Sequence, residues 1–88
     1  MEKENIKKII EAICFAAGRV VTIEELILTL EISKDELDVI ITNMQEEYNQ
    51  RGIELVKVEN GYQLCSRKEY YDYIYPIIDK RSKPRLSG

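Results

Sequence analysis

The chain predicts an α+β domain in which three helices are followed by a β-hairpin and one more helix. Three observations carry that prediction. Apolar residues recur at the helical interval as far as Tyr48, the pattern changes to β-branched and aliphatic runs around Asn60-Gly61, and Ser/Thr-x-x-Glu pairs mark where helices begin.

The first helix is expected over residues 3–17. Ile6, Ile9, Ile10, Ile13 and Ala17 recur at three and four, with Lys3, Lys7, Lys8 and Glu11 on the other side, and Gly18 ends it. "RVVT" then supplies a minimal strand near 20–22. Thr22 and Ser33 each stand three residues before a glutamate, Glu25 and Glu36, so each can close a capping box. The two helix starts lie eleven residues apart. That confines the second helix to about 23–30 and leaves Glu31-Ile32 as a sharp turn, the spacing of a helix-turn-helix. Leu37, Ile40, Ile41, Met44 and Tyr48 mark the buried face of a longer third helix over 34–51, with Gly52 as its C′ stop.

"IELVKVENGYQLCSR" reads as strands near 53–59 and 62–65 around a type I′ turn at Asn60-Gly61, with Tyr62 and Leu64 facing inward. Leu55 and Val56 are consecutive, so alternation alone assigns no inward face to the first strand. A third capping box, Ser66 with Glu69, opens the last helix over 67–78, which Pro76 is expected to kink or end. Helix, short strand, helix, helix, hairpin, helix is the order of a winged helix-turn-helix: three helices, a small antiparallel sheet whose hairpin is the wing, and an extra C-terminal helix.

Eighty-eight residues make one small domain that hides only roughly 60 to 65 % of its unfolded surface. The "MEKENIKKII" start and the six-residue apolar run Ala12 to Ala17 match neither a signal peptide nor a membrane span. Cys14 and Cys65, without a second pair or any histidine, read as reduced thiols of a cytoplasmic protein.

Catalysis finds no support. The chain has no histidine, no glycine-rich phosphate loop, and no nucleophile spaced from a base, so no enzyme activity, cofactor or metal is expected. The acidic pairs Glu24-Glu25, Asp35-Glu36 and Glu46-Glu47 fall in first helical turns, where the dipole favours negative charge, or on solvent faces.

Charge argues against the nucleic-acid reading that usually goes with this fold. All sixteen acidic residues lie at or before Asp79, so residues 1–79 carry nine basic side chains against sixteen acidic, a net of −7. The helix that would enter a major groove begins SKDELD, and the wing's Lys57, Arg67 and Lys68 are offset by Glu54, Glu59 and Glu69. No direct sequence-specific DNA contact is expected. Residues 1–79 are the domain, and the basic stretch 80–88 reads as a linker.

Taken together, "IEAICFAAGRVVTIEEL", "ISKDELDVIITNMQEEYNQRGIELVKVENGYQL" and the closing "KPRLS" resemble the N-terminal domain of the segregation and condensation protein B (ScpB) family, across nearly the whole chain. The resemblance implies a non-catalytic accessory subunit of the bacterial condensin, with a second winged helix after the linker. It also implies homodimerisation and binding to the kleisin subunit, which bridges the structural-maintenance-of-chromosomes (SMC) ATPase. Family members continue past "RLS", so the chain is expected to be a fragment. Leu28 and the tyrosine-rich "EYYDYIYP" depart from the family's more polar, less aromatic pattern. The other reading that the residues leave open is a winged-helix transcription regulator with a basic surface assembled elsewhere.

The expected protein interface comprises Leu28, Tyr71, Tyr75 and Ile78. At 100° per residue Leu28 points about 150° from the centre of the Ile23-Leu26-Ile27-Leu30 stripe. On the last helix the apolar arc from Tyr73 round to Tyr71 spans about 160° and Tyr75 widens it to about 200°, beyond what packing on one neighbour requires.

Overall fold

The computed structural model describes residues 2–82, with side chains through residue 78. The order is α1 (Lys3–Ala17), β1 (Val21–Thr22), α2 (Ile23–Leu30), α3 (Lys34–Glu47), β2 (Ile53–Val58), β3 (Gly61–Ser66) and α4 (Tyr71–Ser82), with single 3-10 turns at Tyr48–Gln50 and Lys68–Tyr70. The three strands form one antiparallel sheet in the order β1-β3-β2. This is the winged helix, and the β2-β3 hairpin is its wing.

Two of the three capping boxes form. The Glu25 N–H donates to the Thr22 hydroxyl at 3.1 Å and the Thr22 N–H donates back to Glu25 Oε1 at 2.9 Å. Ser33 and Glu36 repeat the exchange at 3.1 and 3.3 Å. Between them the chain reverses on Glu31, a non-glycine residue at φ 57°, whose N–H reaches the Ile27 carbonyl. Gly18 closes α1 in the same left-handed region, φ 62°, as its position predicts.

The third box does not form. Ser66 is the last residue of β3, paired with Ile53, so its backbone is committed to the sheet and cannot turn as a helix cap. Arg67 takes the preceding position without a side-chain cap, and a 3-10 turn leads into α4. Gly52 is also not the αL stop expected: the helix loosens into the Tyr48–Gln50 turn and extended Arg51 ends it. Pro76 does not end α4, which continues to Ser82. Lying near the helix start, it removes only the bond to the Asp72 carbonyl, and Asp72 is exposed to water.

The hairpin turn sits one residue earlier than expected. Val58 pairs with Gly61, so the two-residue loop is Glu59-Asn60, with φ 53° at Glu59. Gly61 is needed for a different reason. A Cβ there would lie 2.5 Å from the Val21 carbonyl oxygen and 2.9 Å from its carbon, so glycine is what lets β1 approach β3.

One core joins all the elements before α4. Ile6, Ile10 and Cys14 from α1, Leu26 and Leu30 from α2, and Leu37, Ile40, Ile41 and Met44 from α3 close over Val21, Leu55 and Tyr62 of the sheet. Leu55, not Val56, is the inward residue of β2, and Leu64 packs against the core as expected. Both cysteines are free thiols, and burial pushes that of Cys14 up.

The end of α3 is fastened from β3. Arg67 donates from Nη2 to the Tyr48 carbonyl at 2.6 Å and from Nε to the Arg51 carbonyl at 2.8 Å, while Nη1 meets Glu54 at 3.3 Å. The Arg67 N–H adds a bond to the Gly52 carbonyl at 2.9 Å. Sequence reading counted Arg67 as a wing cation. The structure uses it as the cap that the last turn of α3 lacks.

Candidate protein-docking surfaces

Among the described residues, two apolar grooves lie outside the core. The first is a groove between α1 and α2. The capping box at Thr22 holds α2 so that Leu26 enters the core while Leu28, two residues on, faces outward at 76 % exposure. Ile13, Ala17, Val21, Leu26, Leu28 and Thr29 line a groove of about 430 Å³, and Arg19 and Glu25 complete its wall. Phe15, 81 % exposed on α1, is further apolar surface that sequence reading missed, although it lies opposite the Ile6-Ile10-Ile13 stripe on a helical wheel.

The Arg19–Glu25 pair is geometrically strong. The guanidinium donates from Nη1 and Nη2 to the two carboxylate oxygens at 3.1 and 3.0 Å, and Nη1 also reaches the Val20 carbonyl. These bonds, followed by that of the Thr22 N–H, hold the Glu25 carboxyl at about 2, well below the ordinary range. Because the folded-state value is depressed, the stabilisation is present above about 4.5 and is lost as pH falls toward 2. Glu25→Gln is therefore expected to be less stable than the parent at pH 6, and that difference in urea midpoint fades below pH 4.5. A difference that persists unchanged at pH 2 would refute the assignment.

The second surface is α4. None of its described residues is buried, and the element it packs against to any extent is the 3-10 turn that leads into it. Tyr70, Tyr73, Ile74, Ile77 and Ile78 border an open apolar groove of about 470 Å³. On the adjoining side the rings of Tyr71 and Tyr75 meet edge to face at 5.7 Å between centroids. The structure thus brings three of the four expected interface residues, Tyr71, Tyr75 and Ile78, onto one helix. It leaves Leu28 on a different groove that shares no lining residue with it. Tyr70, Tyr73, Ile74 and Ile77 were missed because a helical wheel shows that they share a face and not whether that face meets the core.

The helix that would read a DNA groove is acidic in place as well as in composition. Asp35, Glu36 and Glu46 of α3 are exposed, and its single basic residue, Lys34, is bridged to Asp38 at 3.2 Å. Arg51, just beyond, stacks over the Tyr48 ring at 5.3 Å. The Tyr48 hydroxyl donates to Glu11 at 2.9 Å, and burial first, then that bond, pushes its pKa up to about 12. Among the described residues no group could hold a metal ion, and no helix is long and apolar enough to cross a membrane.

These features define a winged-helix domain with an acidic third helix and apolar surface left outside its core. Residues 8–88 match the family described as "Segregation and condensation complex subunit ScpB", and the chain belongs to that family. It is 42 % identical over 91 residues to the segregation and condensation protein B of Clostridioides difficile (strain 630), covering 99 % of this chain and 51 % of that protein. The chain spans about half the length of the curated relatives it matches. Among solved structures, a dimer of the ScpB N-terminal domain complexed with a ScpA peptide matches with a TM-score of 0.78 at 30 % identity, over 84 % of this chain and 95 % of that one. ScpB from Mycobacterium tuberculosis shares the fold with a TM-score of 0.85 at 18 % identity, over 94 % of this chain and 53 % of that one.

Proposed function

We propose that this domain is a non-catalytic docking module of the bacterial condensin. In this reading it pairs with a second copy and binds the ScpA kleisin, and through it the SMC ATPase, in chromosome condensation and segregation in the cytoplasm. The observation that carries the reading is the match to the ScpB N-terminal dimer with its ScpA peptide. The apolar side chains on α4 and in the α1-α2 groove, Leu28, Tyr71, Tyr75 and Ile78 among them, are the surfaces on which we place these contacts. Residues 1–79 act as the docking unit and the basic stretch 80–88 leads toward a second winged helix, as the family resemblance implies.

The transcription-regulator reading is not favoured. Reading a duplex requires basic side chains on phosphate, whereas α3 offers Asp35, Glu36 and Asp38 where it would enter the groove, with Lys34 already paired. Anisotropy titrations of the chain into a labelled ScpA peptide and into a labelled duplex, at about 0.15 M salt, test both readings at once. Saturable binding of the peptide and none of the duplex is expected. Tight duplex binding without peptide binding would reverse the assignment.

A further inference from the structure

We propose that Asn60, at the tip of the wing, is a self-modification site: its side-chain amide is lost as ammonia when the wing opens, and the isoaspartyl product detaches the wing from the start of α2. The chemistry needs only water and a base. The Gly61 backbone nitrogen attacks the side-chain carbonyl carbon of Asn60. That carbon-nitrogen bond forms, the bond to the side-chain nitrogen breaks, and the proton lost from Gly61 is returned through the base to the departing ammonia, which leaves a succinimide ring. Water then opens the ring at one of its two carbonyls. One opening gives aspartate; the other gives isoaspartate, in which the chain runs through the former side chain and is one carbon longer. Nothing is oxidised or reduced.

The fold places this reaction at Asn60 rather than at Asn5, Asn43 or Asn49. Those three lie in α1, in α3 and in the 3-10 turn after it, and are followed by Ile6, Met44 and Gln50, whose side chains crowd the attacking nitrogen. Gly61 has no such side chain, because β1 passes too close to allow a Cβ, and the same lack leaves its nitrogen open to a carbon approaching from Asn60. Asn60 itself is exposed.

The closed wing holds the reaction back. The Asn60 carbonyl accepts from the Ile23 N–H at 2.8 Å, and Gly61 closes the hairpin opposite Val58, where a two-residue turn ties its N–H back across the strands. Both ends of one peptide unit are thus fastened, and the attack must turn that unit. Opening is favoured at this end of the sheet, since Glu59 holds a left-handed φ of 53° without being glycine and β1 pairs over only two residues. Once isoaspartate forms, the carbonyl that Ile23 reaches leaves the main chain as a free carboxylate, and a two-residue turn has no slack for the added carbon. Ile23 is the first residue of α2, and its N–H has no carbonyl within the helix to take. Because α2 supplies Leu26, Leu28 and Thr29 to the α1-α2 groove, the modification loosens a wall of that groove.

The test incubates the 88-residue chain in mildly alkaline buffer and follows it by fragmentation mass spectrometry, which reads conversion of amide to acid and tells aspartate from isoaspartate. Conversion at Asn60 in the folded chain is expected to be about tenfold or more above that at Asn5, Asn43 or Asn49, and to run about tenfold or more faster again in the urea-unfolded chain. Ion exchange separates the isoaspartyl product by its added charge, and Asn60→Asp supplies that charge on an unchanged backbone. The unfolding equilibrium constant of the isoaspartyl chain is expected to be about tenfold or more above that of Asn60→Asp, since a backbone hydrogen bond is lost with the turn that made it. Conversion at Asn60 no greater than at the other three asparagines overturns the site. Equal rates in the folded and unfolded chains overturn the control by the wing, and equal unfolding constants for the isoaspartyl chain and Asn60→Asp overturn the detachment of α2.

Discussion

Gly61→Ala is expected to cost about 3 kcal/mol of folding stability, the upper part of the range for forcing an extra methyl into a closed site. The added carbon would lie 2.5 Å from the Val21 carbonyl oxygen and 2.9 Å from the Val21 carbonyl carbon. Both are backbone atoms, so relief requires β1 to move away from β3. The pairing at stake is only two residues long, Val21 with Tyr62 and Thr22 with Gly61, and so has little to hold it once displaced. The Ile23 N–H, which donates to the Asn60 carbonyl at 2.8 Å, would lose its partner in the same movement. A domain of this size is stable by roughly 5 to 10 kcal/mol, so about three-tenths to three-fifths of the total is at risk. Urea unfolding measures the loss, and Gly52→Ala is the control. A Cβ at Gly52 meets nothing within 4 Å, so that variant is expected to stay within about 1 kcal/mol of the parent. Equal midpoints for the two variants would show that close approach at Gly61 is not what holds β1.

Arg67→Ala is expected to cost about 2 to 3 kcal/mol, because it removes charge-assisted bonds to two carbonyls that end a helix and leaves those carbonyls without that donor. The fork reaches Tyr48 and Arg51 on one side and Glu54 on the other, at 2.6, 2.8 and 3.3 Å, with the Arg67 side chain only 20 % exposed. Arg67→Lys separates geometry from charge. A lysine keeps the positive charge near Glu54 but cannot address both carbonyls at once, so less than half of the loss should be recovered. Thermal unfolding of the three chains gives the comparison. If the lysine variant matches the parent, attraction to Glu54 carries the effect and the fork contributes little.

Helix existence was legible in this chain wherever one local signal sufficed. Thr22 with Glu25 and Ser33 with Glu36 each sit within one turn, and a hydrogen bond between backbone and side chain three residues apart needs no tertiary partner. Gly18 behaved as expected for the same reason: its left-handed φ is a property of one residue. Ser66 with Glu69 has the same spacing, but a neighbouring strand claims the Ser66 backbone, and sheet pairing prevails over a local cap.

The same division runs through the glycines and the docking surfaces. Asn60-Gly61 is a turn signal by composition, and a turn is there, but Gly61 is already paired with Val58 on one side and Thr22 on the other, so the loop is Glu59-Asn60. Leu28 could be read as exposed because α2's buried stripe is complete without it. Tyr70, Tyr73, Ile74 and Ile77 could not, since a wheel shows which residues share a face and says nothing of whether that face has a neighbour.

By itself, then, the sequence determined the order of elements, the acidic character of α3 and the excess of apolar surface, all consequences of side-chain chemistry at short separation. The tertiary structure alone decided the turn register, the use of Arg67 as a helix cap and the absence of any buried side chain among the described residues of α4. Each of those depends on which segments distant in the chain meet, and at what separation, and that is a property of the packed whole.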